Sequence, residues 1–243
     1  MISTPISPFH RRPAQAFTII ELLVVVTIIA ILASLSVMAY GNVTAKAKQV
    51  KCMSNMRQIG TALTLYAADN NMNLPETTHT ASITNAWIYQ LDDYFQNVDE
   101  VRICPADPLG PERLKAKGTS YVLNSYVFVA QMDPFGMPIG ESLNNLNRLE
   151  DPSQTILAFI VSEDWPPGVT SDHTHSRRWT NWSNVTKDIA PDRHRSGKPN
   201  DDHTKGSSNY LFADGHVENW KATYVKEQIE NGINIAEPPQ LRK

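Results

Sequence analysis

Residues 17–40 read FTIIELLVVVTIIAILASLSVMAY, and from Leu22 to Ala39 no side chain carries a charge. As an α-helix those positions extend roughly 27 Å, close to the hydrocarbon thickness of a bilayer. Arg11 and Arg12 precede the run, and the first lysines after it are Lys46, Lys48 and Lys51. The run is too aliphatic for a buried helix of a soluble domain. It is also longer than the apolar region of a secretory signal, about 7–15 residues. The nearest small-x-small cleavage match, Ala45-Lys46-Ala47, lies well past its end. The segment reads as a membrane helix whose basic leader holds the N-terminus in the cytoplasm.

Glu21 interrupts this reading, four positions after Phe17. A charged side chain costs about 2.5–3.5 kcal/mol at the centre of a membrane helix and less toward its end, so a carboxylate here calls for a partner. Cleavage between Ala16 and Phe17 would create one. The new α-amino group is a cation at the helix tip, and the amine of an axially displaced neighbour could reach the same carboxylate. Such a pair would neutralise both charges and set the stagger between adjacent helices.

Ala16-Phe17-Thr18-Ile19-Ile20-Glu21, followed by an aliphatic run, resembles the cleavage and methylation motif of type IV prepilins. That family includes type IV pilins and the pseudopilins of type II secretion. The resemblance implies that a membrane peptidase cuts before Phe17 and methylates the new amine, and that Glu21 is the assembly glutamate. Two positions depart from the pattern: Ala16 stands where glycine is usual, and Met38 where proline is frequent. Any helix melting during assembly would then begin elsewhere, at Gly41 for example.

Outward from the apolar run, Val43, Ala47, Val50, Met53, Met56, Ile59, Leu63 and Tyr66 recur at spacings of three and four. This predicts an amphipathic continuation of the helix over 41–70, ending near Asp69 before Asn70-Asn71 and Pro75. Its apolar stripe needs a sheet to cover it. Strand signals are SYVLNSYVFVA at 120–130, TILAFIVS at 155–162, and residues 209–212 and 216–220 around Asp214-Gly215, a hairpin turn pair. The expected fold class is α+β, a long N-terminal helix packed on a small antiparallel sheet. The expected division is a leader at 1–16, a membrane and assembly helix at 17–40, its continuation at 41–70 and a periplasmic domain at 71–243. Residues 163–208 read as a long polar loop.

Three further stretches extend the resemblance: MSNMRQIGTALTLYAADNNMNLP at 53–75, ICPADP at 103–108 and NYLFADGHVE at 209–218. They are similar to a group of bacterial pseudopilin-like proteins with a major, G-type body. That group carries a histidine nine residues before Asp-Gly. The nearest candidate, His203, is separated from Asp214 by ten intervening residues, so the spacing does not fit.

The net charge is −3, and the leader holds two arginines and no acid, so the body is mildly acidic. That gives no reason to expect a nucleic-acid partner, which needs a basic face. Cys52 and Cys104 allow one disulfide in an oxidising compartment, with two free thiols as the alternative. Such a bridge would close a loop worth roughly 4 kcal/mol. Five histidines fall late in the chain: His173, His175, His194, His203 and His216. His173, His175, His203 and Asp214 are weak candidates for metal, because no pair has metalloprotease spacing and no Cys-x-x-Cys occurs. The resemblance adds calcium in a C-terminal loop, without ligands that map onto this chain.

No nucleophile elbow or phosphate loop is present, and the expectation is a non-enzyme with no cofactor. The function expected is a structural subunit of a type II secretion pseudopilus or type IV pilus-like filament. Its partners would be other pilin or pseudopilin subunits, a prepilin peptidase, and an inner-membrane platform with its ATPase. The location would be the bacterial inner membrane, crossed once, with the C-terminal domain periplasmic. The alternative is a membrane-tethered periplasmic enzyme or metal-binding protein that uses the histidine-rich loop.

Overall fold

The computed structural model describes residues 18–78, 86–137, 139, 142–168, 172–198 and 200–242, with the side chains of 35–40 outside the description. The leader 1–16, its cut site and Phe17 also lie outside the described residues. The chain divides into two compact units, Met1–Gly41 and Asn42–Lys243. Helix α1, Ile19–Asp69, contributes to both. Among the described residues, the first unit consists of its N-terminal part.

In the second unit α1 buries Cys52, Asn55, Met56, Ile59, Gly60, Leu63 and Ala67, a repeat of three and four that keeps one face inward. The helix stops where Asn71 and Met72 adopt positive φ of 53° and 64°. Asn70 Nδ2 donates to the Tyr66 carbonyl at 2.7 Å, satisfying one of the last carbonyls. The expected stop near Asp69 is the observed one. The expected stripe is correct only in part. Met56, Ile59 and Leu63 are buried, whereas Val43, Ala47 and Val50 are exposed. At about 100° per residue, Val50 points roughly 160° away from Cys52, so the two cannot share a covered face.

The cover is a four-stranded antiparallel meander, β1 (Tyr121–Leu123), β2 (Ile156–Ile160), β3 (Ser207–Phe212) and β4 (Val217–Lys221), in the order β1-β2-β3-β4. Together with α1 this is the α+β, pilin-like arrangement. Central β2 is apolar and buried throughout, because both sheet faces are covered. Leu123, Leu157, Ile160 and Leu211 join the core of α1. Val122, Phe159, Tyr210 and Phe212 pack instead with Val185 of α5 (Trp182–Asp188) and Val225 and Ile229 of α6 (Ala222–Glu230).

The β3–β4 turn has the form its Asp-Gly pair predicts. Gly215 has φ of 88° and its N–H donates to the Phe212 carbonyl at 3.0 Å. The turn lies close against α1: a Cβ on Gly60 would stand 2.8 Å from Leu211 Cδ1 and 3.2 Å from Gly215 Cα.

Two expectations are corrected here. The strand expected over 120–130 stops at Leu123 and gives way to α4 (Ser125–Phe128). Asn124 causes this: its side chain accepts from the Tyr126 N–H at 3.0 Å and donates to the Ile156 and Ala236 carbonyls, both at 2.7 Å. A helix cap outcompetes the β-branched run. The segment 163–208 is not a solvated loop. It contains α5, and it buries Asp172, Thr174, Ser176, Asp188, Asp192 and Arg193. Asp188 shows why burial is tolerated: it accepts from Trp179 Nε1 at 2.8 Å and the His175 N–H at 2.7 Å.

Between α1 and the sheet lie α2 (Val98–Val101) and α3 (Gly110–Lys115), tied by two buried arginines. Arg102 pairs with Asp99 at 2.7 Å and donates to the Arg113, Gly118 and Leu114 carbonyls, capping the end of α3. Arg113 pairs with buried Asp107 at 2.9 Å.

Candidate functional site

Three groups of residues bear on function. The first is the helix start. Thr18 is the N-cap of α1, and Glu21 is its third helical residue. The Glu21 N–H donates to Thr18 Oγ1 at 3.2 Å, while the Thr18 N–H and hydroxyl donate to Glu21 Oε2 at 2.9 and 2.8 Å. This is a reciprocal capping box, legible as Thr-x-x-Glu and missed in the sequence reading. Glu21 therefore has a partner within its own chain. Beyond it, Ile19, Ile20, Leu22, Leu23, Val24, Val25, Val26, Ile28, Ile29, Ile31 and Leu32 are all exposed. A helix apolar on every side is stable only where something outside the chain covers it. Among the described residues, no helix is long and apolar enough to cross a membrane. The span expected over 17–40 includes residues 35–40, whose side chains lie outside the described ones.

The second group is the set of late histidines. The structure does not bring the four metal candidates together. His173 Nδ1 faces Asp172 at 2.9 Å, His175 faces Asp188 at 3.4 Å and His203 faces Asp192 at 3.4 Å. Asp214 takes His216 instead, and that ring stacks on Phe212 with centroids 4.3 Å apart. Each histidine has its own carboxylate, the arrangement of separate structural pairs.

The third group was not anticipated as a set. Cys52, Cys104 and His194 are buried and bring two sulfurs and a ring nitrogen within 4.8 Å of one another. Cys52 comes from the covered face of α1. Cys104 opens a turn closed by the Asp107 N–H on its carbonyl at 2.9 Å. Asn55, less than one helical turn after Cys52, holds that segment in place by donating to the Ile103 carbonyl at 3.0 Å. His194 is paired to β3 through Ser207, with backbone bonds of 2.8 and 3.3 Å. Residues 195–206 are thus an excursion between His194 and β3. It closes on Gly206, whose φ is 141° and whose added Cβ would lie 2.9 Å from the Asp192 carbonyl oxygen.

His194 thus pairs with the start of β3, at the end of the β3–β4 ladder away from the Asp214-Gly215 turn. His203 sits within the excursion, where the spacing rule from Asp214 fails. The two cysteines are free thiols. Burial opposes ionisation of Cys52, yet the neighbouring Cys104 thiol, His194 and the Tyr121 hydroxyl together hold its pKa below the usual thiol value. Cys104 is pushed the other way, by burial first and then by Cys52.

Residues 11–37 match the model of the prokaryotic N-terminal methylation motif. No curated protein and no solved structure matches the chain. The motif covers the cut site, Phe17, Thr18 and Glu21, and it is structural rather than enzymatic. It supports a pilin-like subunit of a type IV pilus or pseudopilus, processed by a prepilin peptidase and assembled with other pilin subunits.

Proposed function

We propose that the chain is a structural subunit of a type II secretion pseudopilus or a type IV pilus-like filament. A prepilin peptidase cuts before Phe17 and methylates the new amine. The helix then anchors the protein in the bacterial inner membrane, N-terminus inward and C-terminal domain in the periplasm. An assembly platform and its ATPase draw it into the filament, which supports protein secretion. The observation that carries this reading is the uncovered apolar surface of α1 behind a methylation motif. Lipid covers it before assembly and neighbouring helices after it.

In the second unit Val43, Ala47 and Val50 form an exposed apolar set of their own, with Val43 66% and Val50 56% exposed. A charge there touches no core residue, so Val50→Asp should change the unfolding free energy by less than about 0.5 kcal/mol. It should sharply lower the yield of sheared or cross-linked multimers from cells. Wild-type yield from this variant would remove the surface from the assembly interface.

A further inference from the structure

We propose that Cys52, Cys104 and His194 form a buried binding site for one zinc ion. This goes beyond the filament reading and does not depend on it. The three donors come from α1, the turn before α3 and the strand-like segment before β3, parts of the chain far apart in sequence. Two thiolates and one imidazole are the ligand types zinc prefers. Bonds of about 2.3 Å to sulfur and 2.0–2.1 Å to nitrogen place tetrahedral donors about 3.5–3.8 Å apart. The donors already lie within 4.8 Å, so small side-chain rotations would supply three of zinc's four tetrahedral positions.

Charge and hydrogen bonding favour the same ion. A divalent cation with two thiolates and a neutral imidazole is neutral overall, which suits a site closed to water. Binding releases the thiol protons to solvent. His194 Nδ1 is buried without a hydrogen-bond partner, and a disulfide between the cysteines would leave it so. A metal gives it one. The other ring nitrogen, Nε2, lies 3.3 Å from Asn209 Nδ2. For Nδ1 to ligate, Nε2 must carry the proton, so the Asn209 amide would turn its oxygen to the Nε2–H and give up its bond to the Gln49 carbonyl, 3.1 Å, and that from Asn219 Nδ2, 2.9 Å. The Tyr121 hydroxyl lies 3.6 Å from Cys52 Sγ, within reach to donate to a thiolate there.

The test uses the full chain, extracted from its native membrane in mild detergent without chelators. Zinc per chain is measured by elemental analysis, thiol accessibility by alkylation, and bridging by intact mass. The expected result is one zinc per chain, with both thiols protected until chelator and denaturant are added together. His194→Ala and Cys104→Ser should lose the metal, and His194→Cys should keep it. Because variants at a buried site can fail to fold, wild-type chain is also stripped and reloaded with cobalt(II). Thiolate-to-cobalt charge-transfer absorption that zinc abolishes supports the site. A metal-free chain two hydrogens lighter than its reduced form would overturn the proposal in favour of a disulfide. So would two alkylatable thiols after zinc loading, or zinc retained when Cys104 and His194 are both replaced.

Discussion

Replacing Arg113 with methionine is expected to destabilise the folded body by about 3–5 kcal/mol, the range for breaking a buried ion pair from one side. Its guanidinium pairs with Asp107 at 2.9 Å and donates to the carbonyls of Pro166, Ser162 and Trp165 at 3.1–3.2 Å. Both side chains are almost fully buried, 2% and 0% exposed. Methionine fills similar volume but leaves the Asp107 carboxylate with only the Ser120 hydroxyl, at 2.6 Å, and the Leu109 N–H, at 3.0 Å. It also takes a donor from three carbonyls, of which that of Ser162 keeps the Trp165 N–H at 3.4 Å. In a thermal melt of the full chain in detergent, the loss should appear as a midpoint about 6–20 °C lower. Arg113→Lys should fall between, since it restores the charge but not the fork. Removing Asp107 as well should cost less than the sum of the two single changes. A melt unchanged by Arg113→Met would mean that this cluster does not hold α3 to the segment after β2.

The second large effect is expected at Glu21, where the capping box and the proposed assembly contact must be separated. Glu21→Gln keeps the cap, because an amide oxygen at that position still accepts from the Thr18 N–H. It removes the charge. Glu21→Leu removes both, and loss of the cap alone costs about 0.5–2 kcal/mol. Peptidase cleavage and membrane fraction should survive in both variants, since the scissile bond is untouched and a charge leaves the apolar segment. Multimers should fall by more than about tenfold in both, because a neighbour's amine would lose a partner worth over about 1.4 kcal/mol. Normal multimers from the Gln variant with failure of the Leu variant would assign Glu21 to the cap alone.

The legible parts of the chain were those with a strong local signal. The apolar run, the helix stop at Asn70-Asn71 and the Asp214-Gly215 turn each depend on a few adjacent residues. What was misread depends on distant ones. The stripe Val43-Ala47-Val50 has the right period, but which face is covered is decided by β-strands that begin only at Tyr121. Asn124 looked like one residue in a strand until its two carbonyl partners, Ile156 and Ala236, were in place. Helix α6 was overlooked although Ala222, Val225 and Ile229 have helical spacing, because strand signals next to them dominated the reading. His194 could not be singled out among five histidines, since only the excursion 195–206 folding away brings it beside Cys52 and Cys104. The capping box is legible in Thr18-x-x-Glu21, beside the stronger cue of a lone carboxylate in an apolar run.

The central claim is that this chain is a processed pilin-like subunit, and the mature N-terminus tests it most directly. The measurement is intact-mass and N-terminal fragment analysis of protein taken from its native membrane. The expected chain begins at Phe17 and carries one methyl group on its α-amine. A chain that begins at Lys48, after Ala45-Lys46-Ala47, or one that keeps the leader with an unmodified terminus, would contradict it.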